Sequence, residues 1–303
     1  MSEKRIHKRI GLAGCGQWGA HILRDLRALG CDVHVVARSA ESRGRAEDGG
    51  AASIVESVGD LPEVDGAVVA SSTVSHADVA EPLLARGLPV FVEKPLTADV
   101  AQAERLATLG RGRLFVMDKW RYHPGIEALA EIVHSGELGR IVGLRTTRVA
   151  WGHRFDDVDT VWIHAPHDLA IALEILGTVP AARSAVGETL DGSLTGLVGL
   201  LGEDPWVAIE ISATSAERRR EIKLACESGV AWLADGYADH IVLASAGGGE
   251  PERRVVSTEM PLLRELRAFV EHLDGGPPPR SSAGEGVEIV RRIAELRSLA
   301  GAP

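Results

Sequence analysis

The first part of the chain alternates short apolar runs with segments whose apolar residues recur at helical spacing. The apolar runs fall at residues 9–13, 33–37, 54–58, 66–70, 88–92 and 114–117. The segments predicted as helices are 17–29, 40–48, 76–86 and 97–109, the last with Thr97 as the expected N-cap. Because strands and helices alternate with short links, this pattern predicts a doubly wound parallel sheet.

The pattern changes after Asp118, where strands follow one another with few helices between them. Strands are predicted at residues 141–149, 194–201, 207–212, 221–226, 230–233 and 240–244, and helices at 126–135, 167–176, 262–273 and 285–299. Successive strands indicate a large, mostly antiparallel sheet. We therefore predict an α/β protein with two domains, a parallel-sheet domain over residues 1–119 and an α+β domain over residues 120–303.

Composition narrows the class of protein. A chain of 303 residues suits two domains, and a net charge of −10 argues against nucleic acid as a partner. Cys15, Cys31 and Cys226 form no C-x-x-C pair, so neither a disulfide framework nor a zinc site is expected. The charged N-terminus and the absence of a long apolar run predict a cytoplasmic protein with no membrane partner.

A glycine motif lies between the first predicted strand and the first predicted helix. It reads G-x-G-x-x-G over Gly14, Cys15, Gly16, Gln17, Trp18 and Gly19. In this position the first glycine permits a tight turn, the second lets a pyrophosphate approach the backbone, and the third lets helix and strand pack closely. The helix N-terminus offers amide groups to the phosphates. The motif and its context predict a dinucleotide-binding Rossmann domain.

The end of the second strand bears on the choice between NAD and NADP. Sites for NAD usually carry an acid there, which binds the ribose 2′-hydroxyl. Here the sequence has Ala37, followed by Arg38 and Ser39, which can hold a 2′-phosphate. NADP(H) is therefore the expected cofactor. The alternative is NAD(H), with Arg38 as a solvated surface residue.

The tripeptide Glu93-Lys94-Pro95 follows the predicted strand 88–92. It is therefore expected at the carboxyl end of a strand, where open α/β sheets bind ligands. A lysine there can hydrogen-bond a substrate oxygen or donate a proton. Taken by itself, the tripeptide favours a surface ion pair of Glu93 and Lys94.

Several motifs occur together in a fixed order along the chain. The glycine motif and E-K-P are accompanied by S-S-T-V-S-H at 71–76, W-R-Y-H-P at 120–124, S-G-E-L-G at 135–139, W-I-H-A-P-H-D at 162–168 and P-L-L-R-E-L at 261–266. This ordered set resembles the Gfo/Idh/MocA family, the superfamily of glucose–fructose oxidoreductase and inositol dehydrogenase. The resemblance covers nearly the whole chain, and E-K-P in its context is the most specific part.

The resemblance implies an oxidoreductase that transfers hydride at a C–OH or C=O carbon of a sugar, a cyclitol or a nucleotide-linked sugar. It implies that Lys94 holds the reacting oxygen and that His167 is the acid/base, with Tyr122 as the other candidate acid. The remaining cofactor contacts that it implies are Ser71, Ser72, His76 and Glu93. The P-H-D context is similar to the branch that contains nucleotide-sugar 3-dehydrogenases and sugar ketoreductases.

One position departs from the family pattern. Its dehydrogenases usually carry an aspartate four residues before the histidine, where this chain has Ile163. Four residues form one helical turn, so Ile163 would share a face with His167 if the segment is helical. An apolar side chain there cannot orient a hydroxyl group. This leaves Lys94 and His167 as the main pair.

Other polar and aromatic residues are candidates for contact with the substrate. They are Arg121, Trp151, Arg154, Trp162, His164 and Tyr237, although tryptophan and tyrosine are equally good core residues. His153, His164 and His167 lack a matching acidic or cysteine spacing, so no metal is expected.

Two further functions are consistent with the sequence. The loss of the acid at Ile163 would also suit a reductase of a non-sugar ketone or imine. The third candidate is a dinucleotide-binding sensor or scaffold without turnover, because fold alone does not establish activity. We also expect a homodimer or homotetramer, with one face of the second sheet against a partner subunit, as in relatives.

Overall fold

The computed structural model describes residues 7–152 and 157–302. These residues form two compact units. The first contains residues up to 119 together with 262–290, and the second contains residues 120–261 together with those from 291 onward. The predicted second domain ran unbroken from 120 to 303, so the segment 262–290 differs from that expectation.

The first unit is built on a six-stranded parallel sheet in the order β3-β2-β1-β4-β5-β6. Its strands are β1 (Arg9–Ala13), β2 (Asp32–Val36), β3 (Ser53–Val55), β4 (Gly66–Val69), β5 (Val90–Glu93) and β6 (Leu114–Met117). The helices that alternate with them are α1 (Gln17–Ala28), α2 (Ala40–Asp48), α3 (His76–Ala85) and α4 (Val100–Leu109). The sheet is the predicted Rossmann architecture, and strands β4, β5 and β6 are buried throughout.

The second unit is built on an eight-stranded sheet in the order β14-β13-β12-β11-β7-β10-β9-β8. Its strands are β7 (Ile141–Trp151), β8 (Ala182–Leu190), β9 (Ser193–Leu201), β10 (Trp206–Ser212), β11 (Thr214–Cys226), β12 (Gly229–Leu233), β13 (His240–Ser245) and β14 (Glu252–Val255). All neighbouring strands are antiparallel except β7 and β10. Two helices, α5 (Pro124–Ser135) and α6 (Thr160–Leu176), pack against this sheet.

The last two helices are α7 (Pro261–Leu273) and α8 (Ala283–Leu299). In α7, Phe269 stacks on Phe91 of β5 with ring centroids 5.0 Å apart. Leu273 lies against Gly66 at the start of β4, where an added Cβ would approach its side chain to 2.9 Å. These contacts explain why α7, although late in sequence, belongs to the first unit.

Several predicted elements differ from the structure in extent. The helix predicted from residue 167 begins at Thr160, with Asp159 accepting from the amides of Val161 and Trp162. Strands β8 and β14 were not predicted. Thr97 is not an N-cap, because Asp99 caps α4 by accepting from the amide of Gln102 at 2.7 Å. None of the helices in the described part of the chain is long and apolar enough to cross a membrane.

Candidate active site

The glycine motif forms a tight turn between β1 and α1. Gly14 has φ +101°, and a Cβ there would lie 2.6 Å from the carbonyl oxygen of Ala70. A Cβ at Gly19 would overlap the carbonyl oxygen of Gly14, so only glycine lets α1 approach β1 so closely. A Cβ at Gly16, by contrast, would have nothing within 4 Å. The turn therefore offers open space directly before a helix.

The start of α1 fits the phosphates of a dinucleotide. Its N-cap, Gly16, supplies no side-chain cap, so the first amides of the helix are available to an anion. Gln17 and Trp18 are exposed beside this turn, whereas the side chain of Cys15 is only 1% exposed. Cys15 can therefore contact a ligand through its backbone alone.

The residues expected to select NADP lie at the end of β2. Ala37 is buried, and Arg38 and Ser39 are exposed. Ser39 is the N-cap of α2, where its hydroxyl accepts from the amide of Ser42 at 3.1 Å. Arg43, which follows in sequence, donates to Glu56 at 2.7 Å. Arg38 is exposed at the end of β2, whereas Arg43 is engaged by Glu56.

The segment after β4 is held by hydroxyl groups and by one buried histidine. The hydroxyl of Ser75 lies 2.9 Å from that of Ser71 and 3.0 Å from that of Ser72. His76 is 1% exposed, and its ring nitrogens lie 2.9 Å from the Pro95 carbonyl and 3.2 Å from the Ser71 carbonyl. Burial lowers the pKa of His76. This placement favours a role in fixing the backbone on either side, rather than direct contact with a cofactor.

Glu93 and Lys94 stand at the carboxyl end of β5, as predicted. The buried Glu93 carboxylate accepts from the indole N–H of Trp18 and, at 3.1 Å, from the backbone amide of Lys94. The ammonium group of Lys119 lies 4.0 Å from the centre of the Trp18 ring. The Lys94–Pro95 peptide is cis, and the Lys94 side chain is half-buried. The glycine motif and E-K-P are thus joined through Trp18.

Burial and nearby hydrogen-bond donors and cations act in opposite directions on the carboxyl group of Glu93. Burial raises the pKa of this carboxyl, and the opposing contributions come first from Lys94 and then from Trp18 and Lys119. An ionised Glu93 would in turn stabilise the ammonium form of Lys94. Glu93 is therefore placed to hold and charge-balance the lysine rather than to touch a substrate.

In the second unit, aromatic and cationic side chains gather around Trp120. The ring of His123 stacks on it with centroids 5.0 Å apart, and the ring of His167 meets it edge-on at 6.3 Å. The guanidinium group of Arg148 lies 4.8 Å from the ring centre. Trp120 itself is 5% exposed. This cluster places His167 in a defined position at one end of the helix–sheet interface.

His123 serves as a structural histidine at the start of α5. Its Nδ1 accepts from the amide of Gly125 at 3.1 Å, which leaves the proton on Nε2. That nitrogen donates to the carbonyl of Gly236 at 2.8 Å. The two bonds fix one neutral tautomer, so His123 holds the Trp120 ring rather than carrying protons.

A buried ion pair anchors α6 to the sheet next to His167. Arg148 of β7 donates to both oxygens of Asp168, at 3.1 and 3.3 Å, and both side chains are nearly inaccessible to solvent. Burial raises the pKa of Asp168, and Arg148 opposes this shift. Because Asp168 follows His167 directly, the pair fixes the turn of helix that carries the histidine.

The same helix carries the position where the family pattern fails. Because α6 spans Thr160–Leu176, Ile163 and His167 do lie one turn apart on a helix. Ile163 and His164 are half-buried, and His167 is 9% exposed. The apolar side chain of Ile163 therefore stands on the face where an acid was expected.

The other predicted substrate residues lie in different environments. Tyr122 is buried, and Arg121 forms an ion pair with Glu174 at 2.9 Å. Trp162 is also buried, with the Arg297 guanidinium 5.4 Å from its ring, which favours core packing. Trp151 and Tyr237 are open to solvent, at 68% and 67% exposure. Arg154 lies outside the described residues.

Arg220 of β11, which no sequence motif marks, interacts with Tyr237. It is the cross-strand neighbour of Arg148 on β7. Burial lowers the pKa of Arg220, as does the charge of Arg148, while Tyr237, whose hydroxyl oxygen accepts a hydrogen bond from Arg220, opposes the shift. Two arginines side by side on one sheet face are unfavourable unless an anion lies near. Asp168 supplies one such charge, and both of its oxygens are engaged by Arg148.

Sequence reasoning missed Trp120, Arg148, Asp168, Arg220 and Glu265 as functional candidates. The sequence does hold a signal for Arg148. Every second residue of β7 from Leu144 to Arg148 is buried, and Arg148 is the charged one among them. Among the described residues, no group of three or more histidine, cysteine or acidic side chains is arranged to hold a metal ion.

Comparisons with known proteins find oxidoreductases that are similar to this chain. Residues 8–113 match the model of an oxidoreductase family with an NAD-binding Rossmann fold, GFO_IDH_MocA. A myo-inositol dehydrogenase from Streptomyces leeuwenhoekii is 34% identical over 143 residues. This match covers 45% of this chain and 44% of the relative, so the chain spans less than half of the relative's length. The inositol 2-dehydrogenase of Streptomyces avermitilis is 27% identical over 91% of this chain and 87% of its own.

A solved structure shares the whole fold. The 3-ketoreductase KijD10 from Actinomadura kijaniata, in complex with TDP-benzene and NADP, superposes with a TM-score of 0.85 at 19% identity, over 96% of this chain and 97% of that chain. Over residues 8–113 the chain therefore matches the Gfo/Idh/MocA family of oxidoreductases, and along nearly its whole length it is similar to the inositol 2-dehydrogenase and, in fold, to the ketoreductase.

Proposed function

We propose that this chain is an NAD(P)-dependent oxidoreductase acting at a C–OH or C=O carbon of a sugar or nucleotide-linked sugar. The observation that carries the proposal is Lys94, at the carboxyl end of a strand in the unit whose glycine turn fits a dinucleotide. When bound, the dinucleotide supplies or accepts the hydride. We assign dinucleotide binding to the first unit and substrate binding to the second.

Lys94 holds the reacting oxygen of the substrate through its ammonium group. Negative charge develops on that oxygen when hydride reaches a carbonyl carbon, and a fixed cation stabilises it. The backbone amide of Lys94 is tied to Glu93, which is itself bonded to Trp18. The lysine is thereby held at one place on the strand end, so its charge is already positioned before reaction.

His167 moves the alcohol proton as acid or base, since imidazole can gain and lose a proton near neutral pH. The ion pair of Asp168 with Arg148 and the contact with Trp120 fix the position of the ring. Ile163 cannot share the proton, so the whole task falls to His167. Tyr122 is the second candidate for the acid.

NADP(H) is the preferred cofactor in this proposal, with NAD(H) as the alternative. Support comes from the exposed Arg38 at the end of β2 and from the buried Ala37, which brings no carboxylate to repel a 2′-phosphate. Parallel fluorescence titrations with NADPH and NADH test this. Tighter binding of NADH would refute the preference.

Arg220 supports a nucleotide-linked rather than a free sugar. Its charge, next to the open Tyr237 and in excess of what Asp168 balances, suits a phosphate group. The tyrosine ring offers an apolar surface to a base or sugar. Asp168 is occupied by Arg148, which leaves Arg220 as the arginine available to an incoming anion.

The experiment is a substrate panel followed by the absorbance of the reduced nicotinamide. It contains UDP- and TDP-linked keto-sugars, free cyclitols, and non-sugar ketones and imines. The proposal expects turnover with the nucleotide-linked sugars first. Turnover only with non-sugar ketones or imines would favour a reductase of such compounds. Tight cofactor binding without turnover would favour a dinucleotide-binding sensor or scaffold.

A homodimer or homotetramer is also proposed, formed through the face of the eight-stranded sheet that α5 and α6 leave uncovered. On that face Arg145 and Lys223 are cross-strand neighbours, while Glu210 and Glu221 both lie opposite Thr147, two residues further along β7. Such a pattern is complementary to itself under a twofold axis. Exposed apolar residues on the same sheet include Val186, Val198, Leu200 and Val230.

A further inference from the structure

The buried face of α7 carries one acidic residue. Glu265 is 1% exposed, and neither oxygen of its carboxyl group has a hydrogen-bond partner among the described residues. Its neighbours on that face are apolar, namely Leu262, Leu266, Phe269 and Val270. A buried acid without a partner is costly when ionised, so its presence on this face calls for an explanation.

The packing of α7 brings Glu265 to the catalytic end of the sheet. Phe269 lies on Phe91 in β5, while the later residue Leu273 lies on Gly66 at the start of β4, so the helix runs antiparallel to the strands. Glu265 lies one helical turn, about 6 Å, before Phe269. In the same direction, Glu93 lies two residues, about 6.6 Å, beyond Phe91. The two carboxyl groups therefore reach the same level above the sheet.

The charged groups around Glu265 come from two strands. Glu93 faces it from the end of β5, and Asp118 and Lys119 face it from the residues after β6. Burial raises the pKa of Glu265 well above its ordinary value, and the negative charges of Glu93 and Asp118 add to this, against the opposing charge of Lys119. Burial raises the pKa of Glu93 as well.

We propose that Glu93 and Glu265 form a buried pair of neighbouring carboxyl groups that together carry one proton, and that this proton sets the negative charge next to Lys94. Two neighbouring carboxyl groups cannot both ionise readily in a site that water does not reach. The pair itself does not depend on the activity proposed above, whereas its effect on Lys94 does. Glu265 is a positioning residue, since it acts through Glu93.

The charge of the carboxyl pair affects the protonation of Lys94 and Lys119. With the proton in place, one carboxylate remains to accept from Trp18 and from the amide of Lys94. When the proton leaves, a second negative charge appears near Lys94 and Lys119 and favours their ammonium forms. Lys94 therefore remains a hydrogen-bond donor over a wider range of pH than it would beside a single acid.

The test uses the full-length protein without cofactor or substrate. Trp18 is bonded to Glu93, so its fluorescence reports on the charge of the pair, and subtracting a Trp18→Phe variant isolates its signal. Wild-type protein should show a Trp18 transition above the ordinary range of carboxyl groups, about pH 4 to 4.5. In Glu265→Gln the midpoint should fall by one pH unit or more. Glu271→Gln, at an exposed site on the same helix, is the matched control and should leave it unchanged.

Two results overturn the pairing directly. One is an unchanged midpoint in Glu265→Gln, and the other is a wild-type protein without any Trp18 transition between pH 4 and 9. Failure of Glu265→Gln to fold at pH 7 also overturns it, because a neutral group of the same shape must be tolerated where a proton already sits.

A second measurement does not rely on fluorescence. Carboxyl groups with raised folded-state pKa values reduce stability as pH rises through those values. The Tm of Glu265→Gln relative to wild type should therefore increase between pH 5 and pH 8. A constant difference across that range would contradict the proposal.

Discussion

The buried ion pair beside His167 gives a prediction whose size can be worked out from the structure. Arg148→Met keeps most of the side-chain volume but removes the guanidinium group that pairs with Asp168, whose carboxyl group is almost completely inaccessible. Breaking a buried pair by removing one partner typically costs about 3–5 kcal/mol, because a buried charge is left uncompensated. For a folding unit of this size, that corresponds to a fall in Tm of about 6–20 °C.

The loss should depend on pH in a defined direction. Without Arg148, burial raises the pKa of Asp168 further, so the folded state takes up a proton that the unfolded chain releases near its ordinary pKa of about 3.9. A raised folded-state pKa means that stability is retained below that value and lost as pH rises. The destabilisation should therefore be small at pH 4.5 and complete at pH 8.

Thermal unfolding followed by circular dichroism at both pH values is the assay. Arg111→Met is the control, because Arg111 is exposed and takes no part in the ion pair or the proposed assembly face, and its loss should change stability by about 0.5 kcal/mol or less. The double variant Arg148→Met with Asp168→Leu should recover most of the loss. A Tm within 2 °C of wild type at pH 8, or a double variant no better than the single one, would refute the reasoning.

Three further predictions concern the cofactor, the proton and the assembly. Gly19→Ala should abolish NADPH binding measured by fluorescence, because its Cβ overlaps a backbone carbonyl of the turn. Gly44→Ala in α2 is the control, since a Cβ there meets nothing within 4 Å. This control should bind NADPH normally and be more stable than wild type by about 0.5–1 kcal/mol. His167→Asn should lower the rate and alter its pH profile; an identical profile would transfer the proton to Tyr122. Val198→Lys, at a 53% exposed site, should convert an oligomer to monomers in light scattering, and wild-type monomers would refute the assembly.

Much of the first unit could be predicted from sequence because its signals are local. Each central strand is a buried apolar run, and G-x-G-x-x-G marks a turn whose geometry requires glycine at Gly14 and Gly19. Sequence spacing also placed Lys94 at a strand end. These features depend on few neighbours, so the chain itself encodes them.

The second unit was less predictable because its edges and contacts are set by tertiary packing. Strands β8 and β14 lie at the two edges of the sheet and are largely exposed, so their patterns lack a buried alternation. The helix was predicted to begin at His167, whereas α6 begins seven residues earlier and contains Pro166. The start at Thr160 depends on the Asp159 cap, which the structure shows.

The candidate site shows the same division between local and distant information. The Glu93–Glu265 and Arg148–Asp168 pairs join residues that lie 172 and 20 positions apart in sequence. No periodicity specifies such pairings, which arise when α7 packs on β5 and α6 packs on β7. In the sequence, each of these pairs can be detected only as a charged residue on an otherwise apolar face.

The central claim is that Lys94 holds the reacting oxygen. The most direct test is Lys94→Ala, assayed with the best substrate of the panel, alongside Arg111→Ala, at an exposed cation outside the candidate site and the proposed assembly face, as control. Turnover should fall by about 10²–10⁴-fold, because one fixed donor to the developing charge is lost. The circular dichroism spectrum and the Kd for NADPH should stay unchanged. Activity equal to that of wild type would contradict the account.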